Sequence, residues 1–89
     1  MNKDRRKRLE ALSGKLEEVR CALQDIIDEI EEIKDEEQEA YDNLPESLQE
    51  SERGCTMQEN IDSLDYAIDI DFDTVIDDID GYIQEAIER

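Results

Sequence analysis

Apolar side chains recur along the first half of the chain at Leu9, Leu12, Leu16, Val19, Leu23, Ile26, Ile30, Ile33, Ala40 and Leu44. The steps alternate between three and four residues, and Glu37 occupies the one seam position without an apolar group. Sustained over about five repeats, this is the heptad signature of a coiled-coil helix. It predicts a helix over about residues 5–43, roughly 58 Å long at 1.5 Å per residue. Gly14 inside it costs about 1 kcal/mol relative to Ala. The pattern stops at Asn43-Leu44-Pro45, because a residue before proline is pushed out of the α region while proline itself suits the first turn of a new helix. A connection over 44–55 follows. One or two helical turns are expected over Glu46 to Arg53, with Gly54 as the C-terminal cap, and Thr56 with Glu59 as a T-x-x-E capping box.

The capping box is expected to open a second helix over about 56–88. Its apolar residues Met57, Ile61, Leu64, Ile68, Phe72, Val75, Ile79, Ile83 and Ala86 keep an eleven-residue rather than a seven-residue period. Tyr66, Ile70, Ile76, Tyr82 and Ile87 widen the stripe beyond what one partner helix covers. The fold class predicted is all-α: an antiparallel two-helix coiled-coil hairpin over residues 9–89, preceded by a basic segment over residues 1–8. Counting outward from the turn places Leu44 by Met57, Ile33 by Ile68, Ile26 by Val75 and Leu16 by Ala86. The surplus apolar positions Ile27, Tyr66, Ile70, Ile76, Ile83 and Ile87 are the expected interface of a homodimer, two hairpins making a four-helix bundle. At 89 residues there is room for one domain with a thin core, which also favours self-association.

Charge changes this picture. The net charge is −18, yet Lys3, Arg5, Arg6, Lys7 and Arg8 hold five of the ten basic residues against one acid, Asp4. The rest of the chain is strongly acidic, repels nucleic acid and anionic lipid, and attracts basic surfaces. Direct nucleic-acid binding and membrane association are therefore not expected. The basic start leads into no apolar signal-type run and nothing approaches a transmembrane segment. Cys21 and Cys55 are far apart and lack metal-ligand spacing, which fits a reducing, cytoplasmic setting.

The second helix carries eleven acids and no base over residues 56–88. Helix stabilisation does not call for this, since Asp is a mediocre helix former and like charges three or four apart repel. Two readings stay open. Asp62, Asp65, Asp69, Asp71, Asp73, Asp77, Asp78 and Asp80 form a partner-binding face that imitates a nucleic acid, or they are a solvated surface. Both long segments together carry roughly one net negative charge per 2.6 Å, against about one per 1.7 Å for duplex DNA. The run Asp69 to Asp80 also places acids at positions one, three, five, nine and twelve of a calcium loop. Thr74 stands where that loop needs Gly, and Asp80 where it needs a bidentate Glu. A helical stripe running through the same residues argues against that loop. No metal site and no cofactor is expected. The basic segment either meets phosphate or offsets the acidic end of the second helix near Glu85 and Glu88, and cations at a helix N-terminus favour local disorder. With no His, no phosphate-binding glycine loop and no base beside either cysteine, no enzymatic activity is expected.

The run DEEQEAYDNLPESLQESERG, Asp35 to Gly54, resembles that of short acidic coiled-coil proteins of bacteria and their phages that share an N-L-P-E-S-L-Q-x-S-E-R type turn. The resemblance implies a charged heptad helix, this turn and a second acidic helix. It carries over no activity and no catalytic residue. A phage or mobile-element setting raises the expectation of a non-enzymatic inhibitor that binds a host or defence protein. The alternative is a structural or adaptor coiled coil working through its apolar stripes.

Overall fold

The computed structural model describes residues 1–89 and is helical throughout. The elements are α1 (Lys3–Asp42), α2 (Glu46–Gln49), α3 (Glu52–Ile68) and α4 (Phe72–Glu88). The chain divides into two compact units, Met1–Gln24 with Asp71–Arg89, and Asp25–Ile70. Each holds one buried apolar side chain, Ile76 at 4% exposure in the first and Ile61 at 2% in the second.

The Asp25–Ile70 unit is a helical hairpin. The second half of α1 ends where the Asn43 and Leu44 amides bond back to the Glu39 and Tyr41 carbonyls, both at 3.0 Å. Pro45, extended at ψ 147°, then starts α2, its carbonyl accepting from the Leu48 and Gln49 amides at 2.8 and 3.0 Å. The Gln49 side-chain amide donates to the Tyr41 carbonyl at 3.1 Å and ties the connection back to α1. The connection expected between the long helices is thus present, but its punctuation differs. Ser51, extended at ψ 172°, caps α3 by accepting from the Gly54 amide, as an N-cap hydroxyl does. Gly54 lies inside the first turn of α3 with a negative φ, so it is not a C-terminal cap. Thr56 and Glu59 lie further inside the same helix and form no capping box.

In the unit of Met1–Gln24 and Asp71–Arg89, the first half of α1 runs antiparallel to α4. Asn2 accepts from the Arg5 amide at 2.8 Å, so the basic segment expected to be disordered is the capped first turn of α1. The second long helix is not continuous. It stops at Asp69 and restarts at Phe72, with Asp71 as the N-cap of α4. The cause is the side-chain chemistry of aspartate, which competes for backbone amides and so favours caps over helix interiors. Asp71 takes the Thr74 amide at 3.0 Å and the Thr74 hydroxyl at 2.6 Å.

This break resets the register. A helical residue advances 1.5 Å and an extended one about 3.3 Å, so everything after the interruption is displaced. In the hairpin, Lys34 meets Asp65, within a few residues of the expected pairing. In the other unit Arg20 lies between Asp73 and Asp77, whereas the sequence placed Val75 beside Ile26. Ile26 and Val75 are instead both more than half exposed.

Candidate interaction surfaces

The seam on α1 follows a heptad, but one turned from that expected. The covered positions are Leu9, Ser13, Leu16, Arg20 and Leu23 in one unit, and Ile27, Ile30, Lys34, Glu37, Tyr41 and Leu44 in the other. Every second member belongs to the expected set, while Ser13, Arg20, Ile27, Lys34 and Tyr41 replace Leu12, Val19, Ile26, Ile33 and Ala40. The polar contacts account for the turn. The Arg20 guanidinium bonds the Asp73 carboxylate at 2.5 Å and also the Asp77 carboxylate. Lys34 pairs with Asp65, and the Ser13 hydroxyl donates to Asp80 and accepts from the Gln84 amide at 3.2 Å. Hydrogen bonds donated to Asp77 and Asp73 drive the Arg20 pKa above its ordinary value, and that donated to Asp65 raises Lys34.

The acidic residues singled out by sequence fall into two sets. Asp65, Asp73, Asp77 and Asp80 are engaged by α1 of the same chain, and Asp71 is spent on capping α4, where the Thr74 hydroxyl and amide hold its pKa below the usual carboxylate range. The side chains of Asp62, Asp69 and Asp78 are exposed and bear no ion pair. The calcium-loop reading fails for a reason other than the one expected. The helical stripe is interrupted, but at Asp69–Asp71, and residues 72–80 are helical, so they cannot wrap an ion. No group of three or more His, Cys, Asp or Glu side chains is arranged to hold a metal.

The expected dimer residues also separate. Tyr66 and Ile70 are exposed, and Ile27, Ile83 and Ile87 are half-buried. Ile76 is buried within its own unit and has no surface to offer a second copy. What the chain leaves uncovered is a different set. Leu12, Val19, Ile26 and Ile33, spaced seven apart on α1, are 47, 48, 53 and 48% exposed. Beside the first two, an open apolar groove is lined by Leu12, Leu16, Val19, Ile79 and Ile83 with the Lys15 stem. The signal for this surface was present in the sequence as the seam itself. Apolar spacing points it at the chain's own second helix, because the polar seam residues Arg20 and Lys34 carry no signal in that spacing.

Cys21 and Cys55 are exposed thiols. Lys3, Arg5, Arg6, Lys7, Arg8 and Lys15 form no ion pair within the chain, in contrast to Arg20, Lys34 and Arg89. Glu85 pairs with Arg89, so it does not neutralise the basic segment. No helix is long and apolar enough to cross a membrane. The chain matches no protein-family model, and no curated protein or solved structure is similar to it at a significant level.

Proposed function

We propose that this chain is a non-enzymatic acidic interaction protein that meets a basic protein surface, in the manner of an inhibitor or nucleic-acid mimic occupying the groove of a nucleic-acid-binding protein. One observation carries the reading. No acidic side chain is buried, and the seam cations Arg20 and Lys34 engage only Glu17, Asp65, Asp73 and Asp77, leaving most of the 28 acids to solvent. Such a surface attracts cations over a Debye length and repels anions. Asp62, Asp69 and Asp78 are its free members on α3, its C-cap and α4.

The test is capture of a basic partner by the full chain across a salt series, with duplex DNA as competitor. Retention that falls steeply between 50 and about 300 mM salt and is displaced by DNA supports the reading. Replacing Asp62, Asp69 and Asp78 by Lys should abolish it, and this triple variant spares the acids that hold α1. Binding indifferent to salt, DNA and that variant would sink the acidic reading.

A second reading, an adaptor acting through apolar stripes, is favoured by the uncovered Leu12, Val19, Ile26 and Ile33. Both readings share one assembly, a homodimer of two hairpins packed as a four-helix bundle. Two buried apolar side chains are a small core for 89 residues, and association is the usual remedy. Sedimentation equilibrium showing monomer only at about 100 μM, well above a micromolar dissociation constant, would remove the dimer.

A further inference from the structure

We infer that the uncovered face of α1 binds the same face of a second copy with the two α1 helices antiparallel, Leu12 meeting Ile33 and Val19 meeting Ile26 of the partner. The inference rests on the homodimer proposed above and fixes its surface, orientation and register.

Four large apolar side chains on one helix, Leu12, Val19, Ile26 and Ile33, are each about half exposed. The exposed apolar residues on α1 recur every seven positions, which is the repeat a second helix follows.

Charge selects the orientation. Two chains of net charge −18 repel, so contact is favoured only where opposite charges meet. In an antiparallel pair of helices, the positions flanking the apolar line meet their own kind on the partner. Here those flanking positions are Arg8, Lys15, Ala22, Glu29 and Glu36. With the two-fold axis between Ala22 and Leu23, Arg8 falls within one residue of Glu36 and Lys15 within one residue of Glu29, each pair occurring twice. All four charged residues are exposed and unpaired within the chain. The small Ala22 side chains let the helices approach at the axis. The same register lays the unpaired Lys3 to Arg8 segment along the partner's Asp35 to Asp42, five cations facing five acids. A parallel pair in register sets the flank bearing Lys15 against that bearing Arg20 and brings each basic segment beside its twin.

Two experiments test this with the full chain. In a background of Cys21→Ser and Cys55→Ser, chains carrying Leu12→Cys and Ile33→Cys are oxidised separately and as a mixture. The expected product is the mixed disulfide dimer, formed at least about ten-fold faster than either self-linked dimer, because only Leu12 and Ile33 face each other. Self-linking of Leu12→Cys overturns the antiparallel arrangement, as does a dimer that forms none of these links. Second, Arg8→Glu should weaken the dimer roughly five-fold, since two exposed ion pairs become two repulsions. Adding Glu36→Arg should restore it, whereas Glu18→Arg, equal in net charge, should not. Equal rescue by both overturns the register. A monomer in every sample removes the dimer itself, while a dimer that fails these tests removes only the arrangement inferred here.

Discussion

Gly54 is the position where one added methyl group does most damage. A Cβ there would lie 2.6 Å from the Leu48 carbonyl oxygen and closer still to the Gln49 carbonyl group, both backbone. Neither can swing aside, because Leu48 and Gln49 belong to the α2 turn that Pro45 starts. Gly54→Ala should therefore cost about 2 kcal/mol or more, as overpacking does, and lower the melting temperature by circular dichroism. Gly14 and Gly81 are the opposite case. A Cβ at either meets nothing within 4 Å, and both lie inside long helices. Replacing each by Ala should stabilise by about 0.5–1 kcal/mol through helix propensity. Ile61, at 2% exposure, is the most buried apolar side chain, and Ile61→Ala should cost about 2–5 kcal/mol. A cost under about 1 kcal/mol in chemical denaturation would mean that the site collapses around the smaller side chain.

At the scale of elements, Asp71 is the residue of the junction between α3 and α4 that caps α4 with its side chain. Its carboxylate accepts the Thr74 hydroxyl and amide, and this lowers its folded pKa from 3.8. A lowered folded value means the contribution is fully present above the unfolded pKa and lost as pH falls through the folded one. Acidification from pH 5 towards pH 2 should then fray the start of α4, read as faster amide exchange at Thr74. Asp71→Ala should show that fraying already at neutral pH, while Asp71→Asn, another good N-cap, should not. Lys34 gives the alkaline counterpart. Its raised folded pKa means the Asp65 contact contributes fully below 10.5 and is lost as pH rises beyond it. This junction also marks the limit of what the sequence disclosed. The heptad in α1, the turn at Asn43 to Pro45 and the all-helical class follow from periodicity and from proline geometry, which are local. The break at Asp69–Asp71 does not, because apolar spacing runs through it and only the competition of aspartate for amides ends the helix. The seam was misplaced for a related reason. Periodicity counts apolar groups, whereas Arg20 and Lys34 reach carboxylates, and the placing of Asp73 and Asp77 opposite Arg20 depends on that break. Asp65, Asp73, Asp77 and Asp80, read from sequence as a face for a partner, are instead bonded by Lys34, Arg20 and Ser13 of α1.

For the whole molecule, 28 acids against ten bases make self-repulsion larger than the attraction of the few ion pairs present. Exposed pairs such as Arg89 with Glu85 are worth little, and those of Arg20 and Lys34 are confined to Glu17 on α1 and three acids on α3 and α4. Salt screens both signs of interaction, with a Debye length of about 30 Å at 0.01 M and about 8 Å at 0.15 M. Repulsion acts among many distant charges and is screened first, whereas direct contacts are screened least. Raising sodium chloride from about 0.01 to 0.15 M at pH 7 should therefore raise the melting temperature and strengthen the dimer. The same change should weaken capture of a basic partner, because that attraction is itself long-range. The opposite signs separate the two surfaces: an apolar α1 face gains from salt, and an acidic face loses. A melting temperature that falls with salt would show that local ion pairs outweigh the net charge. A dimer that weakens with salt would place charge attraction, and not the stripe of Leu12, Val19, Ile26 and Ile33, at the centre of self-association.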